Sequence, residues 1–247
     1  MIVVTGMHRS GTSAVAMTLE ALGLDFGEHS AFYGADQWNE RGYFERNDVV
    51  DLNSRLLTGF PRTQGTVPSL LSQVRYLLLP SPKAVHRRAR RLRGEMEALA
   101  RSLDGMAVKD PRFCLTLGVW RDHVSAAVAC LRHPTAVASS LHRRQRVPLA
   151  MGLRFWDHHA QALLDAPAST TFFLDFDALG GDDTASELSG LVRFLGLDIT
   201  TDAAVAAFGE QFAPELRHFT GDPSEGLPQR TRVLWEALQQ RRRAQQR

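Results

Sequence analysis

Residues 2 to 13 read Ile2-Val3-Val4-Thr5-Gly6-Met7-His8-Arg9-Ser10-Gly11-Thr12-Ser13. An apolar run ends at a glycine-bounded turn, and a helix-like stretch from Thr12 to Leu22 follows. Strand, turn and helix in that order are the context of a phosphate-binding loop. The spacing Gly-x-x-x-x-Gly-x-[Ser/Thr] is intact, but Thr12 stands where a nucleoside triphosphatase carries its lysine. Arg9 supplies a cation inside the loop instead. This combination points away from ATP hydrolysis and towards a nucleotide with a short 5′ chain. Successive backbone N–H groups and the positive end of the following helix would hold the anion. Gly6 and Gly11 permit the close approach, Arg9 forks onto two oxygens, and His8, Ser10, Thr12 and Ser13 complete the candidate binding set.

Around this loop the chain is ordinary in bulk. Its 247 residues are 44% hydrophobic and 23% charged, with a net charge of +2. That charge is too small to require a nucleic-acid partner. Lys83 and Lys109 are the only lysines, so arginine carries nearly all the positive charge. Cys114 and Cys130 sit in no metal or redox spacing. An apolar strand starting at residue 2 leaves no room for a signal peptide, and no apolar stretch reaches the ~18 residues of a membrane span. A cytoplasmic location is expected.

Helical periodicity is read over Asp48–Leu57, Lys83–Leu103, Pro134–Leu141 and Leu188–Leu195. The cluster Arg87, Arg88, Arg90, Arg91 and Arg93 is either a solvated helix face or a contact for an acidic ligand or partner. Residues 58–82, with four prolines and two glycines, read as the least regular part. Further strands are expected at Met106–Val108, Ala126–Leu131 and Thr171–Leu174. A polar helix over residues 229–247 is expected to fray. Strands alternating with helices predict one domain over residues 1–247. It is an α/β, P-loop-like three-layer fold with a central parallel sheet and helices on both faces.

In such a sheet, ligands lie at the carboxyl ends of the strands. Those ends deliver the loop at 6–13, then Lys109, Asp110 and Arg112, then Arg132 with Ser139 and Ser140, then Asp175 and Asp177. Cations at three strand ends make a pocket for a ligand with several phosphate-like charges. Asp175 and Asp177 are also open to a magnesium-ligand reading; without the loop lysine, a turn after a strand is favoured and no metal is expected.

At this point the residues resemble the sulfotransferase family. Val4 to Ser13 looks like its 5′-phosphosulfate loop, in which Lys or Arg precedes Ser-Gly-Thr. Leu131-Arg132-His133-Pro134, with Ser140 eight residues after Arg132, looks like its 3′-phosphate motif. Phe172 to Leu179 is similar to the late strand and Tyr-Glu-Asp-Leu segment, and Phe194-Leu195-Gly196-Leu197 to the Phe-Leu-Gly helix end. Lys109-Asp110-Pro111 and Arg41-Gly42-Tyr43-Phe44-Glu45 resemble segments of tyrosylprotein and bacterial carbohydrate members. The likeness runs over residues 2 to 200. The Gly-x-x-Gly-x-Trp-Lys motif of cytosolic members is absent; Arg217 is the substitute candidate for completing the 3′-phosphate site.

The resemblance implies a donor, 3′-phosphoadenosine-5′-phosphosulfate (PAPS, leaving the product PAP). It implies in-line transfer to a hydroxyl or amine of a carbohydrate or small-molecule metabolite. Arg9 and Lys109 are then the cations at the reacting end. Glu45 is the first candidate for the base, Glu40 the second and Asp110 the third. Residues 25–46 and 58–82 are expected to line the acceptor site, with Trp38, Tyr43, Phe44 and Phe60 available for stacking. A small-molecule kinase or a non-catalytic nucleotide- or glycan-binding module is the alternative.

Overall fold

A computed structural model of the chain describes residues 1–32, 44–62, 67–211 and 226–246. Among them, four strands form one parallel sheet: β1 (Ile2–Gly6), β2 (Ala107–Lys109), β3 (Ala126–Leu131) and β4 (Thr171–Asp175), in the order β2-β1-β3-β4. The register sets Val4 opposite Lys109, Gly6 opposite Cys130 and Leu131 opposite Asp175. All the strand ends named above therefore open on one edge of the sheet.

Strand side chains alternate between two faces, and the core divides accordingly. Val4, Ala107, Val128, Cys130, Phe172 and Leu174 pack with α1 (Thr12–Ala21), α9 (Thr184–Leu195) and α10 (Thr201–Gln211). Val3 and Val108 point the other way, against α2 (Asn47–Thr58), α5 (Arg93–Ser102) and α6 (Phe113–Trp120). Ala129, Leu131 and Phe173 share that second face with α7 (Pro134–Gln145), α8 (Leu149–Leu164) and α11 (Gln229–Gln245). This is the three-layer α/β arrangement expected from the alternation of elements.

Three local expectations are corrected. The segment read as irregular contains α3 (Val67–Leu77); its Pro68 lies in the first turn, where no intrahelical N–H is lost. The helix expected over Lys83–Leu103 is two helices, α4 (Pro82–Arg91) and α5, which break at Leu92. The backbone there is off-helical, at φ −99° and ψ 9°. The C-terminal helix, expected to fray, is instead docked beside β4 through its described residues. Leu234 and Leu238 are buried, Gln239 Nε2 donates to Asp175 Oδ2 at 2.7 Å, and Arg242 Nε donates to Glu187 Oε1 at 2.7 Å. Gln245 Oε1 accepts from the Phe173 N–H at 2.9 Å, so a side-chain amide closes the open edge of β4. Polar composition hid this anchoring because the polar groups themselves make the contact. Arg242→Ala is therefore expected to lower stability by about 1.5–3 kcal/mol, the worth of a charge-assisted bond, in a denaturant melt. The cost stays moderate because Glu187 keeps the Asp175 N–H as a donor.

Candidate active site

The loop between β1 and α1 turns through two left-handed residues. Arg9 has φ 73° and Gly11 has φ 81°. At Gly11 a Cβ would fall 2.1 Å from the Phe176 ring, so glycine is required by space as well as by backbone. At Gly6 a Cβ would lie 2.5 Å from the Cys130 carbonyl oxygen. Among the described residues no side chain caps α1, and its first turn carries no acid. Its leading N–H groups and dipole are thus open to an anion. Ser10 Oγ is buried with no hydrogen-bond partner among the described residues. Thr12 is buried and Ser13 half-buried in the first turn. Uncapped helix end, cramped glycines and unsatisfied hydroxyl together fit a phosphate group.

Two motifs far apart in sequence meet at Arg9. Arg9 Nε donates to Ser140 Oγ at 3.0 Å, and Arg132 Nη1 donates to the Arg9 carbonyl at 2.9 Å. Arg132 also pairs with Asp177 at 3.4 Å and lies 5.4 Å from the centre of the Phe176 ring. Asp177 accepts from the His133 N–H at 2.8 Å and so orients the start of α7. Arg132 therefore braces the strained Arg9 backbone in addition to presenting charge. That bracing role was not read from the sequence. Asp175 turns to Gln239, with Arg242 3.7 Å away. Its carboxylate faces α11, which argues against the magnesium-ligand reading. Among the described residues, no group of three or more His, Cys, Asp or Glu side chains is placed to hold a metal ion.

The third cluster lies at the end of β2. Lys109 Nζ donates to Glu45 Oε1 at 2.7 Å, and Arg112 Nη1 approaches Glu45 Oε2 at 3.3 Å. All three side chains are buried. Burial alone would push the Glu45 carboxyl up, but Lys109 and Arg112 outweigh it and hold the group at about 2. Asp110 is wholly buried. Its Oδ1 accepts from Arg112 N at 2.9 Å and Nη1 at 2.7 Å, and its Oδ2 from Asn53 Nδ2 at 2.9 Å. Burial raises its carboxyl above the ordinary value, opposed by Arg112. Asn53 is fixed in turn by Thr116 Oγ1 and Trp120 Nε1, each donating at 2.9 Å. With both oxygens engaged inside this frame, Asp110 is placed to hold Arg112 rather than to meet an acceptor.

Phe44, immediately before Glu45, has φ 55°, an outlier for a bulky residue. Such strain costs about 1–3 kcal/mol and gathers at functional sites. It is sustained here by packing of the Phe44 ring against Phe26, Phe32 and His29. Phe44 is thus a buried anchor rather than a stacking surface for an acceptor, and Phe60 lies beneath Arg75 at 5.1 Å. Trp38, Glu40, Tyr43 and Arg217 lie outside the described residues.

His8, half-buried in the loop, meets Tyr76 and His159 edge-on at 5.7 and 6.3 Å. Burial, and then the Arg112 cation, lower His8 well below the usual imidazole value, so the ring is neutral at physiological pH. His159 Nδ1 faces the Phe155 carbonyl at 2.8 Å and so carries the proton. Its Nε2 then accepts from Tyr76 Oη at 2.7 Å. Burial lowers His159 to about 4. Neither Tyr76 nor His159 was singled out from the sequence: Tyr76 lies in the segment read as irregular, and His159 lies in α8, a helix that was not read there.

No family model and no curated protein matches the chain. Among solved structures, the sulfotransferase domain from the Synechococcus PCC 7002 olefin synthase aligns with a TM-score of 0.53 and 19% identity, covering 97% of this chain and 94% of that one. A sulfotransferase domain from the curacin biosynthetic pathway aligns with a TM-score of 0.46 and 14% identity, over 94% and 81% of the two chains. The first of these likenesses establishes that the chain has the fold of a sulfotransferase domain.

Proposed function

We propose that the chain transfers a sulfuryl group from PAPS to a hydroxyl or amine of a carbohydrate or small-molecule metabolite. The observation that carries this reading is the 3.0 Å contact between Arg9 and Ser140. It joins a lysine-free phosphate loop to a second cationic strand end, as a donor with separate 5′ and 3′ anionic groups requires. The donor, when bound, supplies the activated sulfuryl group. The chain's residues then have distinct tasks. The α1 N-terminus, Ser10, Thr12 and Ser13 bind the 5′ end. Arg132 and Ser140 bind the 3′-phosphate. Arg9 and Lys109 balance charge at the reacting end, a contribution typically worth about 10²–10³ in rate. Glu45 receives the acceptor proton. At about 2 its carboxylate is ionised but weakly basic. Its basicity rises as Lys109 turns its ammonium towards the donor's anionic oxygens.

Calorimetry with PAP and with ATP plus magnesium tests the reading. PAP is expected to bind at least about tenfold more tightly, the worth of one charge-assisted contact. Equal affinity, or tighter magnesium-dependent ATP binding, would sink it. Arg132→Ala is expected to weaken PAP by about tenfold or more. Adenosine 5′-phosphosulfate, which has no 3′-phosphate, should weaken too, but less, because Arg132 also braces Arg9. Equal losses for both nucleotides would leave Arg132 as a brace alone.

A further inference from the structure

Charge is segregated along this chain. Between Leu52 and Gly94 there are nine Lys or Arg residues and no Asp or Glu, although the whole chain is only +2. Some of these cations are engaged. Arg55 pairs with Glu95 and Arg93 with Glu97. Arg75 Nη1 donates to the Thr58 carbonyl, and Arg88 Nη1 to those of Leu56 and Leu57, closing the C-terminal end of α2. Lys83, Arg87, Arg90 and Arg91 are different. They are exposed, lie along one side of α4 at helical spacing, and make no ion pair among the described residues.

Beside this stripe lies an apolar ridge. Leu71, Val74, Leu77 and Leu78 of the α3 segment are exposed, Leu78 at 75%. Leu71, Val74 and Leu78 follow the spacing of one helix face. Arg75 of α3 and Arg88 of α4 both reach the surroundings of Gly59, and only residues 78–81 separate the two helices, so the two elements are neighbours at the end of α2. These neighbouring elements thus combine aliphatic side chains with cations that have no anionic partner among the described residues.

We propose that this face docks on an anionic lipid surface, the α3 ridge entering the acyl boundary and the α4 cations lying among the headgroups. Charge complementarity requires an anionic occupant. The leucine ridge argues against a purely polar polyanion such as an acidic polysaccharide. Protein interfaces centre on buried aromatic anchors; here Tyr76 is turned inward to His159, and Phe60 is half-buried and covered by Arg75. Exposed aliphatic side chains flanked by cations match an interfacial element. Because α3 also carries Tyr76 to His8, a lipid-embedded acceptor would meet the loop at the interface; that clause alone rests on the sulfotransferase reading.

Vesicle sedimentation with the full chain tests the proposal. Vesicles of phosphatidylcholine with roughly 30 mol% phosphatidylglycerol should pellet the protein at about 0.1 M salt and release it at about 0.5 M; neutral vesicles should not pellet it. Arg87→Glu with Arg90→Glu should reduce binding at least about tenfold. Val74→Ser with Leu78→Ser should also reduce it. PAP affinity should be unchanged in both variants, showing an intact fold. Absent or lipid-independent pelleting, or insensitivity to either pair of substitutions, would overturn it. So would preferential capture of an acidic amphipathic helical peptide, which would assign the face to a protein partner. If wild type bound vesicles but not PAP, the docking inference would stand and the sulfotransferase reading would fall.

Discussion

Glu45→Gln is expected to lose about 10²–10⁴ in transfer rate while PAP binds as tightly as before or more tightly. The direction of the second effect follows from the geometry. Glu45 Oε1 lies 2.7 Å from Lys109 Nζ, so neutralising the carboxylate frees the ammonium for the nucleotide's anionic groups. Loss of turnover with undiminished binding separates a proton acceptor from a merely structural carboxylate. The substitution also leaves Lys109, 3% exposed, without that anion, so the melting temperature must be compared with wild type. Glu40→Gln and Asp110→Asn are the necessary companions. Near-normal turnover in Glu45→Gln, with collapse in either companion, moves the base and leaves Glu45 as the counter-ion of Lys109.

Arg112→Ala is expected to destabilise the protein by about 3–5 kcal/mol, because it removes one partner from a buried charge cluster. Arg112 joins Glu45 to Asp110, with 2.7 Å to Asp110 Oδ1 and 3.3 Å to Glu45 Oε2. Arg112→Lys keeps the charge but loses the fork, so it should fall between wild type and alanine. A denaturant series at neutral pH measures both; a loss below about 1 kcal/mol for Arg112→Ala would show that water replaces the guanidinium. The same cluster sets an acid limit. Glu45 is depressed from 4.5 to about 2 in the folded chain. Its contribution is therefore present above about pH 4.5 and is lost as the pH falls through about 2. In Arg112→Ala, with Lys109 alone holding the carboxylate, that loss should begin at higher pH.

Much of this site was legible in the sequence because its parts are local. A strand, a glycine-bounded turn and a helix occupy residues 2 to 21, and eight consecutive residues specify the loop. The strand ends at Lys109 and Arg132 were legible for a related reason. In a parallel sheet every strand delivers its last residues to one edge, whatever the length of the intervening chain. A helix whose sequence contained a breaker, and the docking of a helix read as polar, were not. Pro68 hid α3, and the glutamines and arginines of α11 concealed its docking on β4.

By itself the sequence determined the α/β class, the glycine-bounded loop between β1 and α1 without a lysine, and the set of cations at the strand ends. It could not determine how those cations are shared among the carboxylates. Lys109 and Glu45 are 64 residues apart, and Arg9 and Ser140 are 131 apart. Nothing in either neighbourhood states the pairing. Only the tertiary structure decided that Asp110 is enclosed by Arg112 and Asn53, that Asp175 belongs to α11, and that Arg132 braces Arg9. The physical reason is that a charge takes its role from its neighbours and its burial. Both are fixed by packing between distant segments, whereas strands, turns and helices answer to spacings of two to four residues along the chain.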